Sequence, residues 1–332
     1  MNLSKIYQSL SNQPRYRLDQ IDRAIFQDFV DNWDDVTTLP KDLRQKLNQE
    51  TSLEIDAQLF ELSDETAKAL ITLEDGCQIE TVLMSHEDAR RTICVSSQVG
   101  CPLDCKFCAT GHMGFTRNLT TSEIVEQVLF FARYLKDKNE KITNIVYMGM
   151  GEPFLNYDNV IESIKILNDP KKFGLGARHF SISTAGIVEG INKLVDLNIQ
   201  VNLAISLHTS NNDLRSELMP INNQYPLEKV LTAVDNYIIK TSRQVMFEYL
   251  LIKGVNDSTE DAMELAKLMD KKLYIVNLIP CNPVGEFKAP SKKAIENFKN
   301  VLAYYHIPFT QRHAFGQEIE AACGQLAIKK KL

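Results

Sequence analysis

From Arg91 onward the sequence alternates between short apolar runs and segments of helical period, and no other feature restricts the fold as tightly. The runs at 91–97, 142–148, 179–184, 201–207, 244–252 and 273–279 are the expected strands. Amphipathic stretches follow them at 120–135, 157–167, 187–197, 227–239, 259–269 and 291–305. The first opens on Thr120-Thr-Ser-Glu123, a capping-box arrangement in which hydroxyl and carboxylate satisfy free N–H groups at a helix start. Parallel strands need a crossover, usually a helix, so six strand–helix units imply a parallel sheet. Six units fall two short of a closed eightfold barrel. The expected fold class is α/β, an open partial (β/α)6 barrel spanning 91–326.

Two smaller pieces precede the barrel. Residues 1–65 read as a helical accessory module, with Ile6, Tyr7 and Leu10 on one small apolar face and Leu18, Ile21, Ala24, Ile25 and Phe29 on another. Its Arg15, Arg17 and Arg23 are expected on one face, touching a polyanion. Residues 66–90 read as a β-hairpin extension, two strand-like runs joined at Glu74-Asp-Gly76. A basic tail, 327–332, contains Lys329-Lys-Lys331.

Composition excludes little beyond disorder and membrane spans. Of 332 residues, 44% are hydrophobic and 24% charged, as in globular chains. The net charge of −6 is uneven: residues 1–75 carry 8 Lys+Arg and 15 Asp+Glu, the remainder 29 and 28. A local basic surface for nucleic acid is therefore open. Seven cysteines, three of them clustered, do not read as a disulfide framework. No secretory signal opens the sequence, and no apolar run approaches the roughly 18 residues of a membrane helix. A reducing cytoplasm is expected.

The clustered thiols stand in Cys101-Pro-Leu-Asp-Cys105-Lys-Phe-Cys108, directly after the first strand. Three thiolates at this spacing can each hold one iron of an iron–sulfur cluster. A cube of four irons would keep one iron open to a small molecule. A structural zinc would want a fourth ligand, for which His112 is the nearby candidate. Other unusual residues fall at strand ends, where barrels of this kind hold their ligands. They are Gly149-Met-Gly151-Glu152-Pro153 after the second strand, Ser183 after the third, Ser206-Leu207-His208 after the fourth and Asn282 after the sixth. Glycines there admit a ligand close to the backbone, and Glu152 could take an ammonium group.

The cysteine triplet with the Gly-Glu-Pro turn resembles the radical S-adenosylmethionine (SAM) superfamily. Longer stretches resemble its RlmN/Cfr family of RNA adenine methyltransferases. These are Cys94-Val-Ser-Ser-Gln-Val-Gly-Cys101, Gly114-Phe-Thr-Arg-Asn-Leu119, Met148-Gly-Met-Gly-Glu-Pro153, Ser206-Leu-His208 with Arg215-Ser-Glu-Leu-Met-Pro-Ile-Asn222, and Ala321-Ala-Cys-Gly-Gln-Leu326. The likeness covers about residues 66–326.

The resemblance implies a 4Fe–4S cluster on Cys101, Cys105 and Cys108, and two SAM molecules per turnover. One methylates Cys323; the other, on the open iron, yields a 5′-deoxyadenosyl radical that takes hydrogen from the methyl group. The carbon radical adds to adenine, and Cys94 releases the RNA through a transient disulfide with Cys323. Glu80 matches the proton acceptor. Gly151, Glu152, Ser183, Ser206, Leu207, His208 and Asn282 match residues holding SAM. Cys77 and Cys281 match no role and read as structural thiols.

Within the family, one group methylates C2 of a 23S rRNA adenosine and in some members a tRNA adenosine, and the Cfr group methylates C8. Gly-Glu-Pro-Phe-Leu-Asn156 and Ser-Gln-Val-Gly100 resemble the C2 group, whereas Gln311-Arg-His-Ala-Phe-Gly316 leans toward the other. Gln317-Glu-Ile-Glu320 is also atypical. The expectation is C2 methylation, with C8 the alternative and a non-catalytic iron–sulfur or zinc module the competing class. Partners implied are 23S rRNA, possibly tRNA and a reductant such as flavodoxin, with no membrane and a monomeric chain. The target adenine must leave its stack to be reached.

Overall fold

The computed structural model describes residues 1–62, 66–197, 199–312 and 321–327. The stretch 313–320, with most of the residues that blur the two groups, and the tail from 328 lie outside the described residues.

A ten-stranded sheet organises the chain. Its centre is six parallel strands in sequence order: β4 (Arg91–Cys94), β7 (Asn144–Tyr147), β8 (Phe180–Thr184), β9 (Asn202–Ser206), β10 (Val245–Leu251) and β11 (Tyr274–Pro280). These are the six expected from the apolar runs. Strands covered on both faces read as continuous apolar segments; in β10 only Met246 is not fully buried. Helices α5 (Thr121–Lys136), α6 (Tyr157–Asn168), α7 (Val188–Val195), α9 (Leu227–Thr241), α10 (Thr259–Met269) and α11 (Lys292–Tyr304) cover the outside and pack in neighbouring pairs. The capping box of α5 is present, Thr120 accepting from the Glu123 N–H and Glu123 from the Thr120 N–H.

The sheet extends beyond the six strands on both sides. A short seventh parallel strand, β12 (Phe309–Gln311), follows β11. On the other flank, β3 (Gln78–Ser85) runs antiparallel to β4, and β2 (Thr66–Thr72) and β1 (Ala57–Leu62) continue outward. The expected hairpin is β2–β3, turning at Gly76, with φ +80°. Strand β1 lies within the segment read as wholly helical. A separate two-stranded ribbon, β5 (Gln98–Gly100) with β6 (Phe115–Asn118), stands over the barrel mouth.

Before β1, helices α1 (Leu3–Ser9), α2 (Arg15–Phe26) and α3 (Lys41–Glu50) close around Trp33, whose indole N–H donates to the Thr51 carbonyl at 3.2 Å. The expectation that Arg15, Arg17 and Arg23 share a face is corrected here. At about 100° per residue Arg17 lies some 200° around α2 from Arg15. Its guanidinium donates to Gln20 and to the Thr38 carbonyl, and Arg23 pairs with Asp28 at 3.5 Å.

Candidate active site

The ribbon β5–β6 is a clasp, and the loop it closes holds the three clustered cysteines. Cys101 N–H donates to the Gly114 carbonyl at 2.9 Å. A Cβ on Gly100 would stand 1.9 Å from that same oxygen, so only glycine fits. Inside the loop, Cys108 N–H donates to the Cys105 carbonyl, and α4 (Ala109–His112) begins at once. Lys106 N–H ties the loop to the Leu218 carbonyl at the end of α8 (Asn212–Leu218). Phe107 packs edge-on against His208, ring centres 4.8 Å apart.

The segment 321–327 lies across this loop. Ala109 N–H donates to the Gly324 carbonyl at 2.8 Å and Thr110 Oγ1 to the Leu326 carbonyl at 2.6 Å. Asn282 Nδ2 donates to the Cys323 carbonyl at 3.0 Å. Gly324 has φ +81°, and a Cβ there would press on the Phe107 carbonyl at 3.2 Å. Two residues over 200 positions apart are thereby brought together: Cys94, at the end of β4, and Cys323 line one cavity with Cys101, Cys105 and Cys108. All seven cysteines are free thiols.

The strand-end residues line the same cavity. Gly151, Glu152, Ser183, Ser206, His208 and Asn282 all face it. Glu152 is buried, its carboxylate accepting from Phe154 N–H at 3.0 Å and Ala185 N–H at 2.8 Å. A carboxylate offers about four lone-pair sites, so it keeps capacity for an incoming donor. His208 sits at φ +62° with Nδ1 accepting from Leu250 N–H, which places the ring proton on Nε2. Leu207 does not join them. It turns into the core, and its N–H and C=O go to the Glu248 carbonyl and to Arg215.

Glu80 also stands apart from the cavity wall. It lies on the face of β3 shared by Val82 and Met84, which do line the cavity, and pairs with Lys68 Nζ at 2.9 Å. His112 is exposed and outside the cavity. Cys281, read as structural, lines the cavity, whereas Cys77 lies at the β2–β3 turn.

A family model described as the Radical SAM superfamily matches residues 95–266. A Dictyoglomus turgidum protein named "Probable dual-specificity RNA methyltransferase RlmN" is 49% identical over 95% of this chain and 91% of its own. The Nitrosopumilus maritimus "Ribosomal RNA large subunit methyltransferase N" is 45% identical over 94% and 92%. The chain belongs to the RlmN family of radical SAM methyltransferases. A solved radical SAM methyltransferase from Sphaerobacter thermophilus superposes at TM-score 0.93 with 44% identity, covering 98% of this chain and 97% of that one.

For a radical SAM protein the donor set must suit an iron–sulfur cluster, and it does. Burial pushes Cys101 up to about 12 and Cys105 well above the usual thiol range, and the neighbouring Cys108 adds to both shifts. Crowded thiols of this kind become thiolates when a cationic core takes up their charge. Among the described residues no three His, Cys, Asp or Glu side chains converge closely enough for a single metal ion.

Two charged residues of this RlmN-family site escaped sequence reasoning. Glu248, in the middle of β10, is buried and accepts from Ser183 Oγ at 2.5 Å. A carboxylate inside an otherwise apolar parallel strand was the available signal. Arg312, just past β12, also faces the cavity. Burial works against its charge, yet nearby Cys323, Glu248 and Cys94 more than offset this and raise its affinity for the proton. Burial raises Cys94 to about 12, and Arg312 pulls back on it. Cys323 opens onto the cavity yet is ringed by protein; that crowding raises its thiol and Arg312 again opposes the shift. Burial lowers His208 to about 3, so it is neutral.

Proposed function

We propose that the protein methylates C2 of an adenosine in 23S rRNA, and also of an adenosine in tRNA, using Cys323 as methyl carrier. The observation that carries this reading is the convergence of Cys94 and Cys323 with the cysteine triplet in one cavity. A radical SAM enzyme acting on a small molecule needs the triplet and has no use for the other pair.

Cys101, Cys105 and Cys108 would hold a 4Fe–4S cluster, and Gly151, Glu152, Ser183, Ser206, His208 and Asn282 would hold SAM. Bound together, these groups supply a methyl group and a carbon-centred radical, with two SAM molecules used per turnover. The chain's residues do the rest. Asn282 fixes the Cys323 backbone so that its thiol faces the cavity. Cys323 bears the methyl group and, through it, the bond to adenine. Glu80, on the cavity face of β3 beside Lys68, accepts the ring proton. Cys94, as thiolate, then attacks the Cys323 sulfur; the S–S bond forms as the sulfur–methylene bond breaks, and the released carbon keeps the electron pair and takes a proton, leaving a methyl group on the freed RNA. Thiolate is the attacking form in such an exchange.

The helical module 1–65 contacts RNA, 66–90 extends the sheet and 91–326 is the catalytic core. A flavodoxin-like reductant, a monomeric chain and a cytoplasmic setting complete the reading. Among the described residues no helix is long and apolar enough to cross a membrane.

Separate digestion of rRNA and tRNA after anaerobic reaction, with mass spectrometry of the nucleosides, tests the reading. The expected product is 2-methyladenosine, absent with Cys323→Ala. Methylation by that variant would sink the carrier role, and 8-methyladenosine would sink the C2 assignment.

A further inference from the structure

We propose that Arg312 receives the target adenine, donating a hydrogen bond to a ring nitrogen beside the carbon that is methylated. This rests on the adenine-methylating reading above.

Position comes first. Arg312 is anchored by its own N–H to the Leu278 carbonyl at 2.9 Å, on the β12 side of the open barrel. Its side chain crosses to the opposite flank, where Nη1 lies 3.8 Å from the Met148 sulfur and Nη2 3.9 Å from the Met84 sulfur. Cys94 pairs in register with Val82 and Val146, and each methionine lies two residues from one of these partners. The guanidinium thus hangs over the cavity within electrostatic reach of both Cys94 and Cys323.

Its donors are poorly matched where they are. A guanidinium presents five N–H groups in a rigid fork, and thioether sulfur is a weak acceptor. Among the described residues it makes no ion pair, Glu248 included. A fork of strong donors against two thioethers is suited to something that arrives.

The adenine brings suitable acceptors. C2 lies between N1 and N3, so a donor placed beside the Cys323-borne carbon that adds to C2 stands beside one of these nitrogens. A flipped base is read by hydrogen bonds to its edge. A carbon radical next to sulfur is electron-rich and adds more readily to a heteroaromatic ring whose density is drawn off. Electron density placed on the ring nitrogens by addition would meet a preorganised cation.

The test is equilibrium binding of the full chain to an rRNA fragment carrying adenosine, 1-deazaadenosine, 3-deazaadenosine or 7-deazaadenosine at the target position. Wild type is expected to bind the 1-deaza or the 3-deaza RNA about tenfold more weakly than the adenosine RNA. Arg312→Gln should lose most of that discrimination, and Arg312→Lys, which keeps a charged donor, should recover part of it. Equal discrimination by wild type and Arg312→Gln overturns the inference, even if the variant alters the pH dependence of Cys323 alkylation. So does a wild type that methylates the RNA but binds all four fragments alike. A wild type that neither binds nor methylates the adenosine RNA removes the function itself. Circular dichroism and iron content matching wild type show that each variant is folded.

Discussion

At the scale of single residues the site depends on buried polar groups, some lining the cavity and some behind its wall. Arg215 is fully buried and donates to four oxygens: the Leu207, Ala185 and Ser206 carbonyls and Asn222 Oδ1. It binds the ends of β8 and β9 together, and the sequence stretch from Arg215 to Asn222 closes on itself. Arg215→Ala should cost roughly 3–5 kcal/mol, since those acceptors are stranded away from water. Urea unfolding showing a loss below about 1 kcal/mol would refute that role. His208 sets a pH dependence. Its folded value is lowered to about 3 by burial, against the ordinary 6.5, so the stability it contributes is present above pH 6.5 and is lost as pH falls toward 3. The loss has a ceiling of roughly 5 kcal/mol. His208→Asn, which tolerates positive φ and keeps an acceptor, should flatten the acid limb of stability against pH; an unchanged slope between pH 6.5 and 3 would count against it. Reading such residues from sequence is uneven. Ser183 and His208 stand at strand ends, where position alone marks them. Glu248 sits mid-strand, where the apolar residues on either side are the one sequence sign that it is not an ordinary outward carboxylate.

At the scale of elements, what the sequence displays is what burial enforces. The six central strands are legible to within three residues at each end because each has a mostly buried apolar run and is separated from the next by a helix with its own period. The short elements are not. Strands β5, β6 and β12 have three or four residues, too few to show alternation, and form because a partner is already in place. Yet β5 and β6 hold the cysteine loop shut, so a functional element is among the least visible. Gly100→Ala should prise the ribbon apart, because the new methyl would fall 1.9 Å from the Gly114 oxygen. Gly76→Ala provides the comparison: its φ is also positive, at +80°, but nothing lies within 4 Å of the added carbon. Both variants share the backbone strain, on the order of 1 kcal/mol, and only the first adds a clash. After anaerobic reconstitution, iron bound per chain should fall severalfold in Gly100→Ala and stay near wild type in Gly76→Ala. Equal iron in the two variants would show that the clasp is not needed to present the cysteines.

At the scale of the whole molecule, the helical module and the barrel meet across a seam tied at several points, among them Asp22 to Lys172, Gln27 to the Lys171 and Lys172 carbonyls and the Met1 amino group to Glu126. Arg133 of α5 makes two more, donating to the Leu53 carbonyl at 2.8 Å and the Val30 carbonyl at 2.7 Å, with Lys136 reaching the Asp28 carbonyl at 2.6 Å. The apolar residues around Trp33 run into the barrel's core as one continuous cluster, so these polar ties act together with packing, and cutting them should let the module open below the barrel's own transition. The protein reports on this directly, since Trp33 is its single tryptophan. Fluorescence therefore follows the module, while far-UV circular dichroism is dominated by the barrel. In Arg133→Met, which keeps the apolar stem and removes the donors, the fluorescence midpoint in urea should move to lower concentration by an amount worth about 2 kcal/mol, and the main dichroism transition should hold. Coincident transitions in that variant would mean that module and barrel form one cooperative unit. The RNA contacts proposed for the module would then be coupled to the barrel mouth through the fold itself, and cutting the seam would be expected to weaken RNA binding and cavity geometry together.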